Sequence, residues 1–158
     1  MQARTLFDGR LDSTFEGVGD AEAAGGLAAK QAGFDEVDQD RICLAIREAM
    51  VNAVAHGNRF DRVKKVHLVI REAPNGGLAI EIADEGAGFD ASSIPDPREA
   101  AHIGRASGRG LLIIRAFMDE VAIRRGSPSG THVHMVKYPE SKMVDAVDSL
   151  SRVESHLH

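Results

Sequence analysis

One helix-forming segment, residues 37–56, constrains the fold more than any other part of the chain. It is predicted to be a helix that ends at Gly57-Asn58, and it is apolar on nearly every side. A helix with apolar residues all round is normally buried. We therefore expect this helix to lie within the core of the protein. Its apolar residues are Ile42, Leu44, Ala45, Ile46, Ala49, Met50, Val51, Ala53 and Val54.

Two polar residues near the end of this helix indicate a functional site. Glu48 and Asn52 are four residues apart, so on a helix they lie one turn apart on the same face. At about 100° per residue, Asn52 lies about 40° and His56 about 80° from Glu48. A buried carboxylate or amide without a partner costs several kcal/mol. We interpret Glu48 and Asn52 as lining a polar, solvated pocket where they meet a ligand or metal.

Two glycine-rich segments follow the helix. The first, DEGAGFD at 84–90, comes directly after an alternating, strand-like run, and the second, SGRGLLII at 107–114, leads into a helical pattern. Glycines before a helix N-terminus let the backbone approach phosphates, and the free N–H groups favour anions. Each motif alone is weak. The order of the Glu…Asn helix, the two glycine segments and a final strand with Gly-Thr is specific.

In this order the chain resembles the GHKL ATPase superfamily (Bergerat fold), and within it the bacterial anti-sigma-factor serine/threonine kinases. The resemblance runs from about residue 10 to 138. The first glycine segment is similar to the family's first glycine box and the second to its second, and FMDEV at 117–121 resembles the anti-sigma branch. EAMVNAVAHGN at 48–58 matches the family's N box, and Gly130-Thr131 in GTHVHMVKY matches its last strand.

We predict an α+β fold, a two-layer sandwich with one mixed, mostly antiparallel sheet and helices packed on one face. A hairpin around Asp8-Gly9 and a helix capped by Asp20 and ending near Gly33 are expected at the start. Asn75-Gly76-Gly77 is predicted to join two strands as a hairpin. The predicted strands are 63–72, 78–83, 120–125 and 131–138, and a further helix is predicted at 109–118.

A single ATP-binding kinase domain is predicted over 1–139, followed by an amphipathic helical tail over 140–158. Within the tail, apolar residues recur at helical spacing. The tail is interpreted as a helix docked on its own domain, with a partner or dimer helix and a frayed end as alternatives. The apolar residues of the tail are Met143, Val147, Leu150, Val153 and Leu157.

The resemblance implies roles for four residues. Glu48 would be the general base, and Asn52 the magnesium ligand, since Mg²⁺ takes few protein ligands. Asp84 would accept a hydrogen bond from the adenine amine, supported by Thr131 through water. Structural roles remain as alternatives: an ordinary strand residue for Thr131, and for Glu48 a salt bridge with one of three arginines. Those arginines are Arg41, Arg47 and Arg105.

The resemblance also implies the residues around the nucleotide. The second glycine segment should hold the phosphates at a helix start, and Gly86 and Gly88 should let the backbone pass close to the base and ribose. Arg105 lies in a presumed lid over residues 91–106 and would reach the γ-phosphate. His56 is a further candidate, although a histidine in a last helical turn is favoured by the dipole anyway. The phosphate-binding candidates are Gly108, Arg109, Gly110 and Leu111.

Composition limits the function classes. The chain has 158 residues, 43% of them hydrophobic and 27% charged, as expected for a single soluble domain. A net charge of −5 argues against direct binding of nucleic acid. No apolar run reaches the ~18 residues that would span a membrane, and the N-terminus has no signal-peptide core. The single cysteine, Cys43, is expected to be a passive core thiol. We therefore expect a cytoplasmic protein.

The family implies an ATP- and Mg²⁺-dependent protein serine/threonine kinase that acts as an anti-sigma regulatory factor. Its phosphoacceptor would be a serine of an anti-sigma factor antagonist (a STAS-type protein), and its second partner a sigma factor or other client. A homodimer is among the assemblies that the family implies. Two other readings remain open: a nucleotide-binding switch that transfers nothing, and an ATPase acting on water. The absence of a phosphoacceptor histidine motif argues against a complete histidine kinase.

Overall fold

The structure is a computed structural model that describes residues 3–87, 108–126 and 129–139. Five strands and three α-helices follow one another along these residues, with a π-helical turn directly after α2 and a 3₁₀ turn between β2 and β3. The elements are β1 (Thr5–Asp12), α1 (Phe15–Gln31), α2 (Glu36–Val51), the π turn (Asn52–Gly57), β2 (Lys65–Ala73), the 3₁₀ turn (Pro74–Gly76), β3 (Gly77–Ala83), α3 (Gly108–Phe117), β4 (Glu120–Arg125) and β5 (Thr131–Lys137).

The five strands form one sheet in the order β1-β2-β3-β5-β4, and every described pair is antiparallel. The last strand therefore lies between β3 and β4, where Met135 pairs with Ile80 on one side and Val121 on the other. This places the start of β5 beside the end of β3, because Ala83 pairs with His132. The predicted α+β fold is confirmed, with a sheet that is wholly antiparallel over the described strands.

The hydrophobic core lies between the sheet and the helices. Alternate residues of β2 and β3, such as Leu68 and Ile80, face α2 and are fully buried, as are Ile46 and Met50 of that helix. α1 packs closely on α2, since a Cβ placed on Gly25 would lie 2.2 Å from Cδ1 of Ile46. Gly25 therefore lets the two helices approach closely.

Two predictions for the first thirty residues are wrong. The hairpin at Asp8-Gly9 is absent, because β1 runs through both residues and pairs continuously with β2 as far as Asp12. α1 begins at Phe15 rather than after Asp20, since the side chain of Thr14 caps it by accepting a hydrogen bond from the Gly17 N–H at 3.0 Å. The predicted stop at Gly33 is confirmed by its φ of +88°.

The remaining element predictions agree with the structure to within two residues, apart from the end of the main helix. α2 stops at Val51, and Asn52–Gly57 form a π-helical turn instead of regular α-helix. Four predictions lie outside the described residues: Gly88, Arg105, the lid at 91–106 and the helical tail at 140–158. Within the described ranges, no helix is both long and apolar enough to cross a membrane.

Candidate functional site

The π turn changes the geometry of the N box. π turns are often found at functional sites. This one spans Asn52–Gly57, and at its end the Asn58 N–H donates to the Ala53 carbonyl, five residues earlier. Glu48 and Asn52 still lie together, because both face the same point on α3. His56, however, is displaced from the α-helical position that the 100° spacing predicted, and it is exposed.

The start of α3 packs directly against these two polar residues. A Cβ placed on Gly110 would lie 2.9 Å from Oε2 of Glu48 and 3.6 Å from Nδ2 of Asn52. Glu48 and Asn52 are half-buried, whereas Gly110 is buried. The second glycine segment and the N box therefore form one site, as their sequence order predicted. Any larger residue at position 110 would contact the Glu48 carboxylate.

The arginines proposed as structural partners of Glu48 are engaged elsewhere, so far as the structure describes them. Arg41 bonds the buried carboxylate of Asp38 at 3.2 Å, and Arg47 lies 3.7 Å from Glu22. Arg105 is outside the described ranges. Two of the three alternatives for a salt bridge to Glu48 are thus not realised, which leaves the carboxylate facing α3.

Asp84 is held by backbone donors at the end of β3. Asp84 is only 8% exposed, and its Oδ1 accepts hydrogen bonds from the N–H of Gly86 at 2.9 Å and from the N–H of Thr131 at 3.2 Å. Its own N–H donates to the Thr131 carbonyl at 3.0 Å. Burial raises the pKa of Asp84 above its usual range, while these backbone hydrogen bonds act in the opposite direction. Both described donors use Oδ1, so Oδ2 is available to a ligand.

Three glycines bring the chain close to Asp84. A Cβ on Gly57 would lie 2.4 Å from Oδ2 of Asp84, and one on Gly130 would lie 1.9 Å from the Asp84 carbonyl oxygen. Gly130 also has φ +92°, which disfavours other residues. A Cβ on Gly86 would lie 2.0 Å from the Gly57 carbonyl oxygen. The end of the N box, the first glycine segment and the β4–β5 turn therefore meet around one carboxylate.

Asn58 is a site residue that the sequence analysis treated only as a helix end. It is 2% exposed, and its Oδ1 accepts from the Glu85 N–H at 2.8 Å. Its Nδ2 donates to Oγ of Ser13 at 2.9 Å and to the carbonyl of Lys65 at 3.0 Å. Asn58 thus fixes the backbone beside Asp84. An Asn at a helix end is common enough that the sequence alone gave no reason to assign it this role.

The other candidate residues are less enclosed. Arg109 is exposed and Leu111 is half-buried at the start of α3, while Gly108 begins that helix. No cluster of three or more His, Cys, Asp or Glu side chains that could bind a metal occurs among the described residues. A single amide oxygen from Asn52 is compatible with Mg²⁺, because this ion usually retains several waters and binds substrate phosphates.

The arrangement is typical of a nucleotide site. The buried carboxylate of Asp84 lies at one end, and at the other the glycine-rich start of α3 lies beside Glu48 and Asn52. Comparison with known families agrees. A model described as a histidine kinase-like ATPase domain matches residues 20–137. The chain belongs to the histidine kinase-like ATPase family. The matched range includes both glycine segments, the N box and β5, so the predicted GHKL resemblance is confirmed.

The relatives that the chain resembles include an anti-sigma factor and a serine-protein kinase. An anti-sigma F factor of Clostridium botulinum is 32% identical over 110 residues, which cover 66% of this chain and 72% of that protein. A serine-protein kinase, RsbW, of Staphylococcus aureus is 29% identical over 119 residues, covering 72% of each chain. The predicted similarity to anti-sigma serine kinases is therefore confirmed.

Solved structures agree on the fold. The RsbU and RsbW domains of a Mycobacterium tuberculosis protein superpose with a TM-score of 0.61 at 22% identity, over 84% of this chain and 32% of that one. The mycobacterial sensor histidine kinase MprB gives a TM-score of 0.51 at 15% identity, over 85% of this chain and 99% of that chain. At these identities the similarity supports the histidine kinase-like ATPase fold alone.

Proposed function

We propose that this protein is an ATP- and Mg²⁺-dependent serine/threonine kinase that regulates transcription by partner switching. The observation that supports the proposal is the close approach of Gly110 to both Glu48 and Asn52, which puts a carboxylate and a side-chain amide beside a helix N-terminus. A helix start of this kind favours phosphate groups. The membership of the chain in the ATPase family and its similarity to a serine-protein kinase support the same reaction.

ATP would bind with its adenine at Asp84 and its phosphates at the start of α3. The exocyclic amine of adenine is a donor, and Oδ2 of Asp84 is an acceptor that neither described backbone donor uses. Gly86 would lie against the base and ribose. The N–H groups of the first turn of α3, around Gly108 and Gly110, would donate hydrogen bonds to the phosphate oxygens.

Mg²⁺ would neutralise charge on the phosphates, and Asn52 would bind it through its amide oxygen. Glu48 would accept the proton of the serine hydroxyl as its oxygen forms a bond to the γ-phosphorus. The bond from that phosphorus to the β–γ bridging oxygen then breaks, which leaves ADP and a phosphoserine. The half-buried position of Glu48, one turn before Asn52, supports this role.

The substrate we propose is a serine of a small anti-sigma factor antagonist, and the client is a sigma factor or an equivalent regulator. The similarity to an anti-sigma F factor supports this choice. Phosphorylation adds a charge of about −2 to the antagonist at pH 7. Repulsion and desolvation at the contact surface would then dissociate the antagonist, which frees the kinase to bind its client.

The experiment is transfer of labelled γ-phosphate from Mg-ATP to proteins that co-purify with this chain, with wild type beside Glu48→Ala. A labelled serine on a small partner that disappears with the variant supports the kinase. Glu48→Ala should keep its ATP affinity within a few fold, because the base does not hold the nucleotide. ATP binding without transfer in the wild type would instead favour a nucleotide-dependent binding switch.

A further inference from the structure

Three large apolar side chains are exposed at the start of α1 and in the loop that follows the π turn. Phe15 is 68% exposed, Phe60 46% and Val63 87%. The rings of Phe15 and Phe60 pack edge to face, with their centroids 5.4 Å apart. Aromatic residues are rare in this chain, which has six Phe, one Tyr and no Trp. Two exposed rings in contact are therefore unusual here, and we call the three side chains the apolar patch.

The backbone at Phe60 adopts a conformation that favours glycine. Arg59 has a φ of +52° and Phe60 a φ of +58°. Among the residues that the structure describes, Asn75 is the only other non-glycine residue with a positive φ. A left-handed backbone is unfavourable for residues with a Cβ, and bulky residues adopt it mainly in turns and at strained functional sites. The strain at Phe60 therefore favours a role in binding over a role in stability.

Hydrogen bonds hold the two segments of the apolar patch in place. The Phe60 N–H donates to the Val54 carbonyl of the π turn at 2.9 Å. Oγ of Ser13, two residues before Phe15, donates to the Lys64 carbonyl at 2.5 Å. The loop is thus joined both to the π turn and to the start of α1. Because the surface is preformed, a partner that binds it would lose little affinity to ordering of the loop.

The loop that carries Phe60 and Val63 is basic. Residues 58–65 contain four Lys or Arg and one Asp, in a chain whose net charge is −5. Arg59 and Arg62 are exposed, and neither forms a salt bridge with a carboxylate among the described residues. An exposed apolar patch with unpaired arginines is complementary to a surface that carries apolar and acidic side chains.

The composition of the apolar patch and its neighbours favours a protein as the partner. Aromatic residues and arginine are enriched at protein interfaces, where a few of them contribute most of the binding energy. The exposed acidic residues Glu16 and Asp61 directly follow Phe15 and Phe60 in the sequence. Their carboxylates would repel the phosphates of nucleic acid and of an anionic membrane.

We propose that the apolar patch is a docking surface for a protein partner, and that the partner presents an apolar side chain flanked by Asp or Glu. The apolar side chain would pack on the rings of Phe15 and Phe60, and the carboxylates would pair with Arg59 and Arg62. None of these residues is among those proposed to bind ATP or transfer the phosphate. The proposal therefore goes beyond the kinase reaction, and its test does not depend on that reaction.

The probe is a phage-displayed library of random peptides, selected on the full chain in the absence of nucleotide. Enriched peptides should combine an aromatic residue or Leu with Asp or Glu. A synthetic peptide of the enriched sequence is then titrated against wild type and variants by fluorescence anisotropy. Phe60→Asn should weaken binding about 10-fold or more, because it removes a central aromatic side chain. Arg62→Glu should also weaken binding, by a factor that becomes smaller at high salt.

Three measurements separate docking from folding. Asn adopts the left-handed conformation more readily than Phe, so Phe60→Asn should keep the melting temperature of the wild type. Phe15→Ser changes a more exposed position and should weaken peptide binding in the same way. Leu27→Ser is the matched control, because it removes a 60% exposed side chain about three helical turns from Phe15. It should leave the peptide affinity unchanged.

An absence of enriched peptides, or enriched peptides without acidic residues, would overturn the proposal. Equal binding of the peptide to wild type, Phe60→Asn and Phe15→Ser would also overturn it. Binding of the wild type, but not of Phe60→Asn, to vesicles of phosphatidylcholine and phosphatidylserine would instead assign the apolar patch to a membrane surface. A dimer mass that falls to a monomer mass in Phe60→Asn would show that a second copy covers it, which would contradict the proposal as well.

Discussion

Gly110 lies against the carboxylate of Glu48: a Cβ on the glycine would come within 2.9 Å of Oε2. The atom it meets is the end of a flexible side chain, so Glu48 can move away from an added methyl group. We therefore expect Gly110→Ala to fold. Its helix should even gain up to about 1 kcal/mol from the better propensity of alanine. The displaced carboxylate, however, would no longer point at the reacting hydroxyl.

For Gly110→Ala we expect the phosphotransfer rate to fall 10-fold or more, which corresponds to an activation free energy at least ~1.4 kcal/mol higher. The melting temperature should stay level or rise. Steady-state kinetics and thermal unfolding of the same preparation measure both. Gly19→Ala is the matched control, since a Cβ there has no neighbour within 4 Å. Full activity of Gly110→Ala would mean that the position of Glu48 does not limit the reaction.

Asn52→Ala tests the magnesium site separately from the base. Removing the amide oxygen should abolish the part of ATP affinity that depends on Mg²⁺, so that ATP binds equally with Mg²⁺ and with EDTA. Isothermal titration with and without the ion measures this difference. Asn52→Asp keeps an oxygen ligand and should retain the dependence. A magnesium effect that survives in Asn52→Ala would assign the ion to another residue.

Asp84→Asn tests adenine recognition. Oδ1 is occupied by the N–H groups of Gly86 and Thr131, so an asparagine that keeps these bonds must direct its NH₂ group at the ligand. Two donors, the NH₂ and the adenine amine, would then face each other. Hydrogen bonds to charged groups contribute about 1.5–3 kcal/mol, and we expect ATP affinity to fall roughly 10- to 100-fold. The affinity for GTP, which has a carbonyl in place of the adenine amine, should fall less than the affinity for ATP.

Asp84→Asn should also change how the free energy of unfolding depends on pH. Burial raises the pKa of Asp84 from 3.8, so the folded state holds this proton more tightly than the unfolded state. The stability it contributes is complete below about pH 3.8 and is lost as the pH rises through the folded pKa. Urea unfolding of wild type and Asp84→Asn from pH 4 to 7 should show the variant gaining relative stability as the pH rises. A constant difference would contradict the raised pKa.

The elements with strong local signals were predictable from the sequence. The alternation of β3, the Asn75-Gly76 turn and the apolar pattern of α2 each specify one structure locally, and the strand at 120–125 agrees residue for residue. The start of the chain was not predictable, because a strand that pairs with β2 across more than 50 residues has no local signature. Gly9 was interpreted as a turn, although it lies within β1 and packs on the Phe7 ring.

Within the site, the sequence indicated which segments meet but not how. Glu48, Asn52 and Gly110 do lie together, as the order of the motifs predicted. The π turn after Val51 was not predictable from periodicity. Its hydrogen bonds span five residues instead of four, but the composition of the segment is ordinary for an α-helix. The close approach of Gly57 to Asp84 depends on that turn, so it too required the structure.

Asn58 provides the last prediction, because its side chain joins three parts of the chain. Asn58 is 2% exposed, and Asn58→Ala would leave the Glu85 N–H and the Lys65 carbonyl without the hydrogen bonds that its side chain makes. Unsatisfied buried groups cost about 1–3 kcal/mol each, and we expect a loss of about 2–4 kcal/mol in the free energy of unfolding, measured by urea denaturation. Asn58→Asp keeps the acceptor for Glu85 but sets a buried carboxylate oxygen against the Lys65 carbonyl, so it should also destabilise the fold. If Asn58→Ala cost less than 1 kcal/mol, the backbone beside Asp84 would be held by other contacts.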